Sequence, residues 1–216
     1  MIKLILIRHG ESKGNKELRY TGHTNVPLTE EGRHQARHLA IRLRKENITA
    51  IYSSDLRRAF DTASCIAEGV NLSVVKEPLL RELHFGDWEG LTYNEIIQGW
   101  GKLWNHWFAN PLEVAPPGGE TLLQLQERVL KALFKITAKH KDGTVVLVSH
   151  AGPIKCILCY LNSLPLSAFW DIAVPPGSLM AIQLSERQGV LLCERAEGRI
   201  KIAGKAKTYM IGDILI

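Results

Sequence analysis

Two histidines in this chain each follow an apolar run. Ile2 to Ile7 leads into Arg8-His9-Gly10, and Val145 to Val148 leads into Ser149-His150-Ala151-Gly152. A third run, Thr49 to Tyr52, empties into Ser53-Ser54-Asp55-Leu56-Arg57-Arg58. Imidazole serves as nucleophile, acid or base near neutral pH, and the planar guanidinium fork matches a phosphate dianion. Suppose the ligand is a phosphomonoester. Arg8 and Arg58 would then hold its oxygens, and their charge would disfavour protonation of His9. Neutral His9 suits in-line attack on phosphorus, giving a phosphohistidine in place of one harder direct hydrolysis. A protonated His150 would stabilise charge on the transferring phosphoryl group. The departing alkoxide needs a proton, so an acidic residue is required at the pocket rim.

The elements that must position these groups follow from the same runs. Short continuous apolar segments bounded by glycine and polar residues predict strands buried on both faces, as in a parallel sheet covered by helices. Ligands of such sheets collect outside the carboxyl ends of the strands, where both histidines fall. The pattern predicts a strand over about 2–8, then a polar loop with Gly14, Gly22 and Pro27, then a helix capped by Thr29 and running to Leu43. A second strand precedes a helix over about 55–68, with Asp55 or Ser54 as N-cap. Ser73 to Lys76 reads as a third strand. The segment 79–117 differs in character, holding Trp88, Trp100, Trp104 and Trp107. Beyond Pro116-Pro117-Gly118-Gly119, an amphipathic helix is expected over about 120–139, with Leu122, Leu125, Val129, Leu133 and Ile136 on one stripe. A fourth strand, a helix from Pro153 and two late strands over about 179–184 and 190–195 complete the pattern.

A chain of 216 residues with 45% hydrophobic content is long enough for one α/β domain with a full core. The net charge of +5 favours anionic partners, but the basic residues are dispersed, so a small phosphate is preferred over nucleic acid. Ile2 to Ile7 is too short to span a bilayer and is a poor secretion signal, so no membrane partner and a cytoplasmic location are expected. The four cysteines, Cys65, Cys156, Cys159 and Cys193, do not suggest a disulfide framework. Cys156 and Cys159 share a helix with Ile154, Ile157 and Leu158, which favours packing over a redox or metal role.

Beyond these physical arguments the motifs carry a resemblance. Leu6-Ile7-Arg8-His9-Gly10-Glu11-Ser12 with Asn15, Pro27-Leu28-Thr29-Glu30-x-Gly32, Ser53-Ser54-x-Leu56-x-Arg58-Ala59-x-x-Thr62-Ala63, Gly118-Gly119-Glu120 and Val148-Ser149-His150-Ala151-Gly152 occur in the order found in the histidine phosphatase superfamily. The chain resembles these phosphoglycerate mutase-like proteins over about residues 1–185. The resemblance implies a three-layer αβα sandwich with a mostly parallel central sheet and a small inserted cap over about 79–117. It implies one domain over 1–197, followed by a tail over 198–216. It further implies His9 as nucleophile, Glu82 as proton donor, and Arg8, Arg58, His150 and Asn15 around the phosphate, with no metal and no cofactor. The short insertion, and Ala151-Gly152-Pro153 after the second histidine, favour a phosphatase over a phosphoglycerate mutase. Glu82 to Gly90, followed by Pro116-Pro117-Gly118-Gly119-Glu120, is most similar to α-ribazole phosphatases of cobalamin assembly and to closely related broad-specificity phosphatases. α-Ribazole 5′-phosphate is therefore the preferred substrate, with phosphoserine and other small phosphomonoesters as alternatives. A non-catalytic phospholigand-binding module is a further alternative, disfavoured because His9, Arg8, Arg58, His150 and Glu82 are all present.

Neighbouring residues have plainer readings. Arg57 reads as a solvated helix residue, and His34 with His38 as an exposed i, i+4 pair without the glutamate of a zinc motif. His84, Trp104 and Trp107 are candidates for a substrate wall; Trp100, Trp104 and Trp107 would share one helix face, and most such stripes are core. The tail admits three readings: an extra strand, a homodimer contact or a loose end.

Overall fold

The computed structural model describes residues 1–187, 190–198 and 201–202. Its strands and helices in chain order are β1 (Ile2–Arg8), α1 (Lys13–Lys16), α2 (Glu30–Leu43), β2 (Ile48–Ser53), α3 (Arg57–Val70), β3 (Val74–Lys76), α4 (Tyr93–Ala109), α5 (Leu122–Lys139), β4 (Gly143–Ser149), α6 (Ala151–Leu161), β5 (Ile172–Ala173), β6 (Leu179–Arg187), β7 (Val190–Gly198) and β8 (Lys201–Ile202). The main sheet has the order β3-β2-β4-β1-β6-β7. β3, β2, β4 and β1 are mutually parallel, β6 runs against β1, and β7 runs against β6.

Strand alternation builds two cores, one on each side of this sheet. Leu4, Leu6, Val145 and Leu147 face a cluster with Leu122, Leu125, Val129 and Leu133 of α5 and Ile154, Ile157 and Leu158 of α6. Ile5, Ile7, Val146 and Val148 face the other way, against Leu39, Ala40 and Leu43 of α2 and Ala59, Ala63 and Ile66 of α3. Successive strand side chains point to opposite faces, so an unbroken apolar run supplies both cores. The result is the three-layer α/β sandwich expected from the sequence.

Several boundaries differ from expectation. α3 starts at Arg57 with Leu56 as N-cap and no side-chain cap; neither Asp55 nor Ser54 caps it. Asp55 is instead paired with Arg81, and the Ser54 hydroxyl with His150. α6 begins at Ala151, two residues before Pro153, which is tolerated because first-turn N–H groups have no intrahelical acceptor. Within 79–117, short 3-10 turns at Pro78–Leu80 and Gly86–Trp88 lead into α4, which bends at Trp100, where φ is −136° and ψ 26°. Of the tail, Lys201–Ile202 pair with Ile172–Ala173, while 199–200 and 203–216 lie outside the described residues, as does the Cys193 side chain.

Candidate active site

Parallel register places the three motif-bearing strand ends side by side. Arg8 lies opposite Ser149, and Ser53 opposite Val148. The pairing continues one step past the strands: the His9 amide donates to Ser149 O at 3.0 Å, and the Ser54 amide to Val148 O at 3.0 Å. His9, Ser54 and His150 therefore emerge at one sheet edge. The His9 and His150 rings lie 5.0 Å apart, centroid to centroid, and both are buried.

The protonation state of His9 follows from its partners. Nδ1 lies 2.7 Å from the Gly10 carbonyl, which can only accept, so Nδ1 carries the proton. Nε2 is left with its lone pair, and Arg58 Nε–H donates to it at 3.3 Å. Burial holds the His9 pKa well below 6.5, reinforced by the charges of Arg58 and Arg8. Burial likewise lowers His150, followed by the charges of Arg58, His9 and Arg8. Both imidazoles are neutral in the free protein. The protonated His150 considered from sequence therefore requires an anion beside it.

Arg58 is 1% exposed and comes from the first turn of α3. Its Nη1–H donates to Thr24 O at 2.9 Å, and Nη2–H to Thr21 O and Gly22 O at 2.9 and 2.8 Å. Burial pulls its pKa down to about 10, opposed by Glu82 and Glu89, so it stays cationic at neutral pH. Arg8 Nη1–H donates to Val174 O at 2.6 Å. Among the described residues, Arg8 Nε and His150 Nδ1 are buried without a protein partner. Buried donors and acceptors normally find partners, and a tetrahedral oxyanion would supply them here.

Glu82 enters from the segment between the two 3-10 turns. Its Oε1 accepts from the amides of Leu83 at 2.9 Å and Gly152 at 3.0 Å. Gly152 lies in the first turn of α6, where free amides and the helix dipole favour a carboxylate. A Cβ on Gly152 would sit 2.2 Å from Oε1, so only glycine lets the carboxylate approach this close. Paired imidazoles, two guanidinium groups and a carboxylate thus share one sheet edge.

The family profile of the histidine phosphatase superfamily (branch 1) matches residues 4–195. The chain belongs to this superfamily. Phosphoserine phosphatase 1 of Hydrogenobacter thermophilus is 38% identical over 192 residues, 89% of this chain and 91% of that protein. The adenosylcobalamin/alpha-ribazole phosphatase of Escherichia coli is 29% identical over 190 residues, 88% of this chain and 94% of that protein. The solved structure of Bacillus stearothermophilus YhfR superposes with a TM-score of 0.81 at 34% identity, covering 90% of this chain and 96% of that one.

Asn15 closes a capping box on α1, its Oδ1 accepting from the Ser12 amide at 3.0 Å and from Ser12 Oγ at 2.9 Å. His84 packs at a tilt against His23, ring centroids 4.6 Å apart and planes at 41°, with its Nε2 3.7 Å from Glu89. Trp107 meets Phe85, Trp88, Trp104 and Trp170, and Trp104 stacks on Phe108, so both belong to an aromatic cluster that packs against the core. Arg57 is exposed and pairs with Asp61; His34 and His38 are exposed. Cys156 and Cys159 are buried among apolar neighbours, and burial pushes the Cys156 thiol well above its ordinary value and the Cys159 thiol up to about 11, out of reach of the thiolate chemistry that redox or metal roles need. Among the described residues, no three His, Cys, Asp or Glu side chains converge as a metal-ligand set, and no helix is long and apolar enough to cross a membrane.

Sequence reasoning missed the residues that hold the motif side chains. Ser54 shares its hydroxyl with His150 Nε2 at 2.8 Å. Glu89 accepts from the amides of His23 and Thr24, fixing the loop whose carbonyls grip Arg58. The only local signals were the serine pair after a strand and a glutamate beside a glycine, and neither specifies such distant partners.

Proposed function

We propose that the chain is a metal-independent phosphomonoester hydrolase working through a phosphohistidine on His9. The observation that carries this reading is the tautomer of His9: its Nδ1 proton is engaged by Gly10 O, which aims the Nε2 lone pair into the cluster of Arg58, Arg8 and His150. In the first step the Nε2 lone pair forms the N–P bond as the P–O bond to the leaving group breaks. Glu82, protonated beside the incoming dianion, gives its proton to the departing oxygen. In the second step water attacks phosphorus, returns a proton to Glu82 and frees His9 with inorganic phosphate. Arg8 and Arg58 hold the equatorial oxygens throughout, and His150 takes up a proton when the dianion arrives.

For the leaving group, the greater identity to a protein named phosphoserine phosphatase, 38% against 29% for the alpha-ribazole phosphatase, moves the preference from α-ribazole 5′-phosphate to phosphoserine. The test is turnover of both compounds, with 3-phosphoglycerate as the mutase control, by enzyme dialysed against EDTA. Rapid quench with a ³²P-labelled ester should trap an acid-labile phosphoenzyme in wild type and none in His9→Ala. Turnover lost on chelation would end the metal-free reading. Binding of phosphate esters without any turnover would favour the binding module.

A further inference from the structure

Arg128 lies on α5 and is not among the His9, His150, Arg8 and Arg58 cluster, and every one of its side-chain N–H donors is placed. Nε donates to Glu120 Oε2 at 3.0 Å, Nη1 to Leu79 O and Arg81 O at 2.8 and 2.7 Å, and Nη2 to Glu82 O at 2.8 Å and to Glu120 Oε1. Guanidinium carries five such protons in a rigid fork, so nothing is left over for solvent or ligand. Glu120 completes the clamp: Oε1 accepts from the His84 amide at 2.8 Å, and its own amide donates to His84 O at 3.0 Å. Residues 81–85, between the turns at Pro78–Leu80 and Gly86–Trp88, have neither helix ladder nor sheet partner, so their carbonyls need another source of donors. Arg128 and Glu120 supply it at the residue that bears the candidate proton donor.

We infer that Arg128 is a positioning residue for proton transfer, fixing the backbone of Glu82 from the α5 side while the amide of Gly152 fixes its carboxylate from the α6 side. This rests on the reading of Glu82 as donor. Proton delivery needs the carboxyl within hydrogen-bond reach of the leaving oxygen, and displacement of about 1 Å is enough to cost on the order of 10²-fold. Lysine at position 128 keeps the charge but replaces a planar fork spanning three carbonyls with a single ammonium. The Glu82 backbone then loses its anchor while the phosphate-holding side chains keep theirs.

The distinguishing readout is leaving-group dependence. Arg128→Lys should lower kcat for an alkyl phosphate such as phosphoserine by about 10- to 100-fold, and for p-nitrophenyl phosphate, whose leaving group departs without a proton, by about threefold or less. KM for either ester should move much less than kcat. In a Glu82→Gln background, Arg128→Lys should add no more than about a twofold further loss with the alkyl ester, because residues acting as one unit are not additive. Glu120→Gln, which loosens the clamp without removing the guanidinium, should show the same selective loss and serves where Arg128→Lys does not fold. Equal losses for both esters, or losses that multiply with Glu82→Gln, would overturn the inference. Glu82→Gln by itself separates the two claims: if it shows no selectivity between the esters, the donor assignment fails; if it does and the Arg128 and Glu120 variants do not, only the positioning role fails.

Discussion

Arg58 donates its Nε–H to Nε2 of His9 across 3.3 Å while the carbonyls of Thr21, Gly22 and Thr24 take three of its four terminal N–H groups, leaving one Nη1–H for a ligand oxygen. One guanidinium therefore both fixes the orientation of the His9 ring, the proposed nucleophile, and disfavours its protonation. Burial is the larger cause of the low His9 pKa, and Arg58 is the next. Arg58→Met keeps the burial and removes the charge. The His9 pKa should rise in this variant, and kcat/KM should fall by about 10³-fold as a charge-stabilising contact is lost. Titration of the His9 ring by NMR checks the first effect. A His9 pKa that stays where it is in wild type would remove Arg58 from this role.

The two buried imidazoles also set how stability varies with pH. Both have folded-state pKa values well below the 6.5 of an unfolded histidine, so below that pH the unfolded chain binds more protons than the native one. The contribution of keeping them neutral is full above about pH 6.5 and shrinks as pH falls, with a slope approaching about 1.4 kcal/mol per pH unit for each histidine. Urea titrations from pH 7.5 to 5 should show this decline in the ligand-free protein. His150→Gln should lower the slope in the same window. A flat profile between pH 6.5 and 5 would contradict the neutral pair.

What could be read from the sequence was whatever local pattern determines. Apolar runs ending in Arg8-His9 and Ser149-His150 specified buried strands with polar exits, and in a parallel sheet those exits must lie on one edge. The capping of α3 was misread because Asp55 and Ser54 have strong local cap propensity, yet they bond to Arg81 and His150, residues 26 and 96 positions away. Arg128 was invisible for a related reason: an arginine on an amphipathic helix resembles a solvated residue until the carbonyls of 79, 81 and 82 are folded against it. The aromatic stripe of α4 was legible as a pattern but not as a destination, since the bend at Trp100 depends on packing.

Gly152 offers a substitution that separates catalysis from folding. It lies in the first turn of α6, where alanine would ordinarily gain about 1 kcal/mol of helix propensity. The new Cβ would meet Glu82 Oε1 at 2.2 Å and Leu125 Cδ2 at 3.1 Å, and the carboxylate is the flexible partner that must yield. Gly152→Ala should therefore leave the melting temperature within a few degrees of wild type. Turnover of phosphoserine should drop by about 10- to 100-fold through displacement of Glu82, the proposed proton donor. Calorimetry and steady-state kinetics on one preparation decide it. A variant that is fully active would mean that the carboxylate position in the free protein has no bearing on proton delivery.

Trp107 tests whether the aromatic insert is wall or core. It is 2% exposed, with its ring against Phe85, Trp88 and Trp170, and Phe85 lies three residues beyond Glu82. A side chain so placed contributes through packing, and Trp107→Ala should destabilise the fold by about 3–5 kcal/mol. In the fraction that remains folded at low temperature, the ratio of kcat/KM for an aryl to an alkyl phosphate should stay within about twofold of wild type, because loss of packing alone removes no contact with a leaving group. Trp107→Phe, which keeps a ring in the cluster, should recover most of the stability and show the same ratio. If Trp107→Phe instead loses aryl esters selectively while melting like wild type, the ring touches substrate, and the insert is a wall over the site.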